Sequence, residues 1–198
     1  MSKLIALLLL AVSSQAASVF SVSINTSSLP AATAGYLDFL FNGVDPASAS
    51  IAGFTTNGTL NPASVSRTAA TGTLPGAVSL ANSNAEYLEG ITFGTNISFN
   101  LQFSGTGAGS VFTLSLLNST QDGAFLTNNA NDGFLLEFNI NSQGVITPVT
   151  FPTASGLPSV VSINSVSAVP EPASALVAVL GLLGIVAAKK RRLIFGSK

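Results

Sequence analysis

The side chains that could do chemistry in this 198-residue chain are of few kinds, because the sequence contains no histidine and no cysteine. Histidine is the usual general base and the commonest transition-metal ligand, and cysteine supplies the thiolates of structural zinc sites. Histidine-based triads, thiolate zinc centres and disulfides are therefore excluded. Carboxylates, hydroxyls and amides remain.

Glu86 and Glu89 are the acids closest together in the sequence. Glycoside hydrolysis uses two carboxyl groups about 5–10 Å apart, so the pair has to be considered as catalytic. Three residues apart in a strand, however, two side chains point to opposite faces. We therefore interpret both as surface charges, and the sequence predicts that the protein is not an enzyme.

Two segments rich in side-chain oxygens contain Asp122-Gly123 and Asn131-Asp132-Gly133. Calcium takes six to eight oxygen ligands, which Asp, Asn and backbone carbonyls can supply, and Asp38 and Asp45 offer further carboxylates. No spaced Asp-x-Asp-x-Asp run occurs, and Asp-Gly is first of all a turn dipeptide. We expect no cofactor, with calcium at Asp122 and Asp132 as the alternative.

One predicted strand carries a row of outward hydroxyl and amide groups, formed by Asn96, Ser98, Asn100 and Gln102. Such groups could line a carbohydrate-binding face, although sugar sites usually add an exposed aromatic ring. Only Tyr36 and Tyr87 lie outside the apparent phenylalanine core pattern. The row is therefore either a sugar-binding face or an ordinary solvated strand face.

Apolar and polar residues alternate through most of the body of the chain, which is typical of half-buried antiparallel strands. The alternation covers residues 20–24, 36–41, 96–103, 112–116 and 134–140, and 160–166 is predicted as a last strand. Turn pairs separate these runs, at Asn42-Gly43, Asn57-Gly58, Asp122-Gly123 and Asp132-Gly133. Because the apolar faces must cover one another, the sequence predicts an all-β, antiparallel β-sandwich of jelly-roll type.

The N-terminal 16 residues have the layout of a secretory signal peptide. Lys3 provides a positive charge, residues 4–12 are apolar, and small residues lead to Ala16. We predict cleavage after Ala16.

Residues 173–188 form an uncharged apolar run that ends at a basic cluster, Lys189, Lys190, Arg191 and Arg192. Sixteen residues make roughly 24 Å of helix, short of the ~30 Å hydrocarbon core. Apolar side chains nevertheless cover every face, unlike a soluble amphipathic helix, and the basic stems can reach the headgroups. We predict a transmembrane helix at 173–188, a cytoplasmic tail at 189–198 with the basic cluster as membrane stop, and a linker at 167–172.

The predicted exported domain, residues 17–166, is acidic. It contains seven carboxylates and one base, Arg67, so its formal net charge is −6 although the whole chain carries −1. An acidic surface repels nucleic acid, which excludes a nucleic-acid partner.

The C-terminal end therefore has three parts in order: the triplet Pro170, Glu171 and Pro172, the apolar segment and the basic cluster. Together with a signal peptide, these parts resemble the PEP-CTERM sorting signal of certain Gram-negative bacteria. The resemblance implies that a membrane transpeptidase, an exosortase, processes the tail and passes the protein outward, often in organisms that make exopolysaccharide and biofilm. Residues 25–29, 35–39 and 90–94 also resemble an exported β-domain of such proteins, whose activity is unassigned.

The sequence thus predicts an exported cell-surface or extracellular-matrix protein associated with exopolysaccharide or biofilm. The expected partners are the membrane, through the C-terminal helix, an exosortase-like enzyme and an extracellular polysaccharide. We expect the protein to be exported across the inner membrane of a Gram-negative bacterium, where it is first a membrane-anchored precursor. It then resides in the cell envelope or outside the cell. The alternative is a glycan-binding module, with calcium assistance as an option.

Overall fold

A computed structural model of the chain describes residues 18–43, 47–81, 83–105, 109–129, 131–153 and 156–166. The predicted signal peptide with Ala16, Asp45, the Pro170–Glu171–Pro172 triplet, the predicted anchor at 173–188 and the basic cluster lie outside these residues. Within the described ranges, no helix is long and apolar enough to cross a membrane. The topology of the two ends therefore stays a prediction.

The described residues form twelve β-strands and no helix, so the all-β class predicted from the alternation is confirmed. Six of the strands, five between residues 47 and 92 and one at 146–150, lie outside the predicted alternating runs. They are β1 Val19–Asn25, β2 Ala34–Asn42, β3 Ala47–Thr56, β4 Thr59–Thr68, β5 Ala70–Gly72, β6 Val78–Ala81, β7 Ala85–Thr92, β8 Asn96–Gly105, β9 Ser110–Asn118, β10 Leu136–Ile140, β11 Ile146–Thr150 and β12 Val161–Val166. The predicted last strand corresponds to β12, and the predicted Asn57-Gly58 turn joins β3 to β4.

The strands form two six-stranded sheets in which every pairing is antiparallel. The first sheet has the order β12-β1-β8-β3-β6-β5, and the second has the order β11-β10-β9-β2-β7-β4. From β1 to β4, consecutive strands alternate between the sheets. The chain therefore crosses repeatedly from one layer to the other, and most neighbouring strands are distant in sequence, with the consecutive neighbours β5-β6 and β9-β10-β11 as exceptions.

Phenylalanine rings from the two sheets meet between them, which makes the fold a β-sandwich. The ring centroids of Phe20 and Phe138 are 4.9 Å apart, and Phe39 lies 5.6 Å from Phe99. Phe103 contacts four other rings, those of Phe20, Phe41, Phe112 and Phe138. Burial of each such ring contributes about 1.5–3 kcal/mol, and edge-to-face contacts add to this.

The two ends of the described body are neighbours at one end of the first sheet, where Val19 pairs with Val166. At the opposite end, Asn25 leads through the β1–β2 connection to β2. Near the start of β2, Gly35 pairs with Asn118, the last residue of β9. The long connection between β9 and β10 therefore starts at the end of the sandwich opposite to Val19 and Val166.

We expect Phe103→Ala to lower the free energy of unfolding by about 3–5 kcal/mol, because the variant leaves a cavity among four aromatic neighbours. Urea unfolding of the full chain measures this loss. Leu157→Ala is the control, since the Leu157 side chain is 62% exposed, and it should change stability by less than about 0.5 kcal/mol. Equal losses in the two variants would contradict the position of Phe103 in the core.

Candidate functional site

The outer face of the first sheet carries hydroxyl and amide groups and no charge. The alternation predicted for β8 is confirmed: Asn96, Asn100 and Gln102 are exposed, whereas Phe99 and Leu101 are buried. The same outer face continues on the flanking strands, with Ser162 and Asn164 on β12, Ser21 and Ser23 on β1, Ser48 and Ser50 on β3, and Ser79 on β6. None of the six strands contains Asp, Glu, Lys or Arg.

Hydroxyls form a row across four strands of this face. Ser162 pairs with Ser23, Ser23 pairs with Ser98, and Thr55 pairs with Ser98 in turn. The hydroxyl oxygens of Thr55 and Ser98 are 2.7 Å apart, and those of Ser48 and Ser104 are 2.6 Å apart. With strands about 4.8 Å apart, the face is a regular array of neutral donors and acceptors.

The second candidate site is a cavity of about 260 Å³ in the connection between β9 and β10. Asp122 and Asp132, ten residues apart in the sequence, both line it, together with Gln121, Asn129 and Asn131. The structure thus brings together the two acids that the sequence suggested for calcium. Their convergence could not be read from the sequence, because the connection has no periodic pattern to fix its path.

Asn118 holds the first side of this cavity in place. Its amide nitrogen donates to a carboxylate oxygen of Asp122 at 2.6 Å, and its side-chain oxygen accepts from the backbone N–H groups of Thr120 and Asp122. The Thr120 hydroxyl lies 2.7 Å from the same Asp122 oxygen. The hydrogen bond from Thr120, and to a smaller extent the one from Asn118, lowers the pKa of Asp122 below its usual value.

The described residues contain no cluster of three or more Asp or Glu side chains that could hold a metal ion. Asp122 and Asp132 alone would have to be completed by amide and carbonyl oxygens, as calcium allows. Asp38 lies elsewhere, on the second sheet. Calcium at Asp122 and Asp132 therefore stays a prediction.

Glu86 and Glu89 both lie on β7 and point to opposite faces of the second sheet, as their spacing requires. The expectation that both are surface charges was wrong for Glu89, which is fully buried. Its carboxylate accepts a hydrogen bond from the Tyr87 hydroxyl, which in turn accepts from the backbone N–H of Leu74 at 3.0 Å. Burial raises the pKa of Glu89, and the Tyr87 hydrogen bond and the Arg67 charge oppose that rise.

Tyr87 is not an exposed aromatic platform for a sugar, because it too is fully buried. Its ring lies on the inner face of the second sheet, paired with Phe39, and the Arg67 guanidinium sits 5.6 Å from its centroid. Burial and the hydrogen bond to Glu89 raise its pKa to about 12. Tyr36, on the outer face of the second sheet, is only partly exposed.

Asp38, which the sequence analysis named only as a further carboxylate for calcium, is a buried acid. It points outward from β2, as the alternation predicted, yet only 9% of the residue is exposed and one carboxylate oxygen has no hydrogen-bond partner among the described residues. β2 lies between β7 and β9, so neighbouring side chains flank Asp38 on both sides. Burial and the nearby Glu86 carboxylate raise its pKa to about 7.

No family model, no curated protein and no solved structure matches this chain. The PEP-CTERM resemblance therefore stays a prediction from the sequence. Function has to follow from the chemistry of the surfaces described above.

We expect the stability of the protein to fall between about pH 4 and pH 7 through Asp38, whose folded-state pKa is raised to about 7. A carboxyl with a raised pKa stabilises the fold while protonated, and this contribution is lost as pH rises through the folded pKa, with a slope of at most about 1.4 kcal/mol per pH unit. In Asp38→Asn the part of this loss that comes from Asp38 should disappear, while the part that comes from Glu89, whose pKa burial also raises, should remain. Urea unfolding of the full chain at several pH values measures it.

Glu86→Gln provides the matched comparison, because its charge raises the pKa of Asp38. This variant should keep the pH-dependent loss but make it smaller than in the unmodified chain. A pH profile that is the same in the unmodified chain and in Asp38→Asn would contradict the assignment.

Proposed function

We propose that the protein is an exported cell-surface or extracellular-matrix component that contacts neutral polysaccharide, associated with the exopolysaccharide or biofilm of a Gram-negative bacterium. The observation that carries this proposal is the charge-free outer face of the first sheet, defined by Ser23, Ser98, Asn100 and their outward neighbours. All charged side chains of the described residues lie on the second sheet or in loops. A neutral, hydroxyl-rich polymer can exchange hydrogen bonds with such a face without desolvating an ion.

We infer that export begins with a signal peptide cleaved after Ala16. Pro170, Glu171 and Pro172 then act as the recognition triplet for an exosortase-like enzyme, while residues 173–188 hold the precursor in the membrane and Lys189–Arg192 stop its transfer. The PEP-CTERM resemblance and the positive-inside tendency support this order of events. The mature protein then resides in the envelope or outside the cell.

We further infer a jelly-roll topology and a non-enzymatic role. The strand order supports the jelly roll, because one sheet contains β1-β8-β3-β6 and the other contains β2-β7-β4. This order arises when a long antiparallel hairpin of strands folds over so that its strands are shared between two sheets. The opposite orientations of Glu86 and Glu89 and the lack of histidine and cysteine support a binding role over catalysis.

A glycan-binding module, with or without calcium, is the second candidate function. It is favoured by one observation, the meeting of Asp122 and Asp132 at one cavity. Loops at the end of a sandwich are common places for recognition sites.

Asn100→Lys should weaken binding of the full chain to neutral insoluble polysaccharide, because it puts a charge at the centre of the first sheet's outer face. Co-sedimentation with cellulose and with the host's own exopolysaccharide measures the bound fraction, which we expect to fall at least about threefold. Thr68→Lys is the control, since it adds the same charge to an exposed residue of the second sheet. Equal binding by the two variants would contradict the proposal.

We expect sorting in the native host to remove residues from both ends of the protein. Mass spectrometry should find an N-terminus at Ala17 and a C-terminus that lacks Lys198, whereas Glu171→Ala should retain the intact tail. Lys198 on all of the unmodified protein would contradict sorting, although not membrane anchoring.

A further inference from the structure

The cavity in the connection between β9 and β10 is bounded by two loops. The first loop comprises residues 118–124, and the described part of the second comprises residues 127–129 and 131–133. The two loops come close together at Gly133 and Ala124. A Cβ atom added to Gly133 would lie only 3.1 Å from the Cβ atom of Ala124. Gly133 adopts a φ of +70°, which glycine tolerates best. The connection starts at the end of the sandwich opposite to Val19 and Val166, so the cavity sits away from the chain ends of the body.

Both loops are fixed by their own hydrogen bonds. Asn118 orders the first loop through its contacts with Thr120 and Asp122. In the second loop, the buried Thr127 hydroxyl donates to the Phe134 carbonyl at 2.7 Å, and the Gly133 N–H donates to the Asn129 carbonyl at 2.8 Å. A site shaped before its ligand arrives loses little conformational entropy on binding.

The groups that line the cavity and remain available are both donors and acceptors. The Asp132 carboxylate and the side-chain amides of Gln121 and Asn131 make no hydrogen bond to another described residue, and one Asp122 oxygen is also unused. The amides can donate and accept, while the carboxylates only accept. A ligand that satisfies this set must itself offer both donors and acceptors.

We propose that this cavity binds one neutral sugar residue with adjacent free hydroxyls, directly and without a metal ion. A cation would contact only the carboxylate and amide oxygens, whereas adjacent sugar hydroxyls can also accept hydrogen bonds from the amide N–H groups. Two carboxylates repel an acidic sugar or a phosphate. A volume of about 260 Å³ is below the roughly 300–1,000 Å³ of pockets for drug-sized ligands, which suits a single ring. The inference rests on the proposed contact with polysaccharide and adds a site for a chain end or branch.

The test is titration of the full chain, kept in a detergent without a sugar headgroup, with the methyl glycosides of glucose, galactose and mannose. Amide NMR spectra should show saturable shifts at Gly123 and Gly133 for at least one glycoside, with a dissociation constant on the order of millimolar. Addition of a chelator should leave these shifts unchanged. Asp132→Ala and Gln121→Ala should each weaken binding, by about tenfold for Asp132→Ala because it removes a charge-assisted hydrogen bond.

Gln143→Ala is the matched control, because Gln143 is also an exposed glutamine in a turn but lies in the β10–β11 connection. Binding that requires calcium, or the same loop shifts with calcium alone, would overturn the proposal in favour of a cation site. The absence of saturable shifts with all three glycosides would also overturn it. In either case the full chain should still co-sediment with polysaccharide, and Asn100→Lys should still weaken that co-sedimentation. A wrong proposal for the cavity is therefore distinguishable from a wrong proposed function.

Discussion

The packing of phenylalanine rings between the two sheets is the interaction on which the rest of the structure depends. Phe103 alone contacts rings from β1, β2, β9 and β10, so strands far apart in the sequence share one apolar layer. Because side chains alternate along a strand, filling the inner layer also fixes which residues face outward. A shift of one residue in any strand would bury polar groups without partners.

This constraint leaves the two outer faces with different chemistry. The first sheet presents serine, threonine, asparagine and glutamine, and its six strands are free of charge. The second sheet holds Asp38 and Glu86 close enough for their charges to interact, and it buries Glu89 beneath Tyr87 on its inner side. A neutral partner is therefore expected on the first face, whereas the acids of the second sheet make stability depend on pH.

Much of the fold could be predicted from the sequence, because alternation is a local signal. The inward set Phe99, Leu101 and Phe103 and the turn at Asn57-Gly58 are as predicted. The burial of Asp38 and Glu89 could not be predicted, because alternation assigns a face but not which strands lie in the middle of a sheet or what packs over a side chain. The convergence of Asp122 and Asp132 was missed for a related reason, since it depends on irregular loops held by side-chain hydrogen bonds.

Accessibility of single cysteines along β1 and β8 tests the central claim most directly, since the chain has no cysteine of its own. Ser23→Cys and Asn100→Cys place the thiol on the outer face, while Val22→Cys and Leu101→Cys place it in the core. In the folded full chain, a maleimide should label the outer pair at least about a hundredfold faster than the inner pair, because inner positions react only after opening. Similar rates at all four positions would contradict a sandwich with this uncharged face turned to solvent.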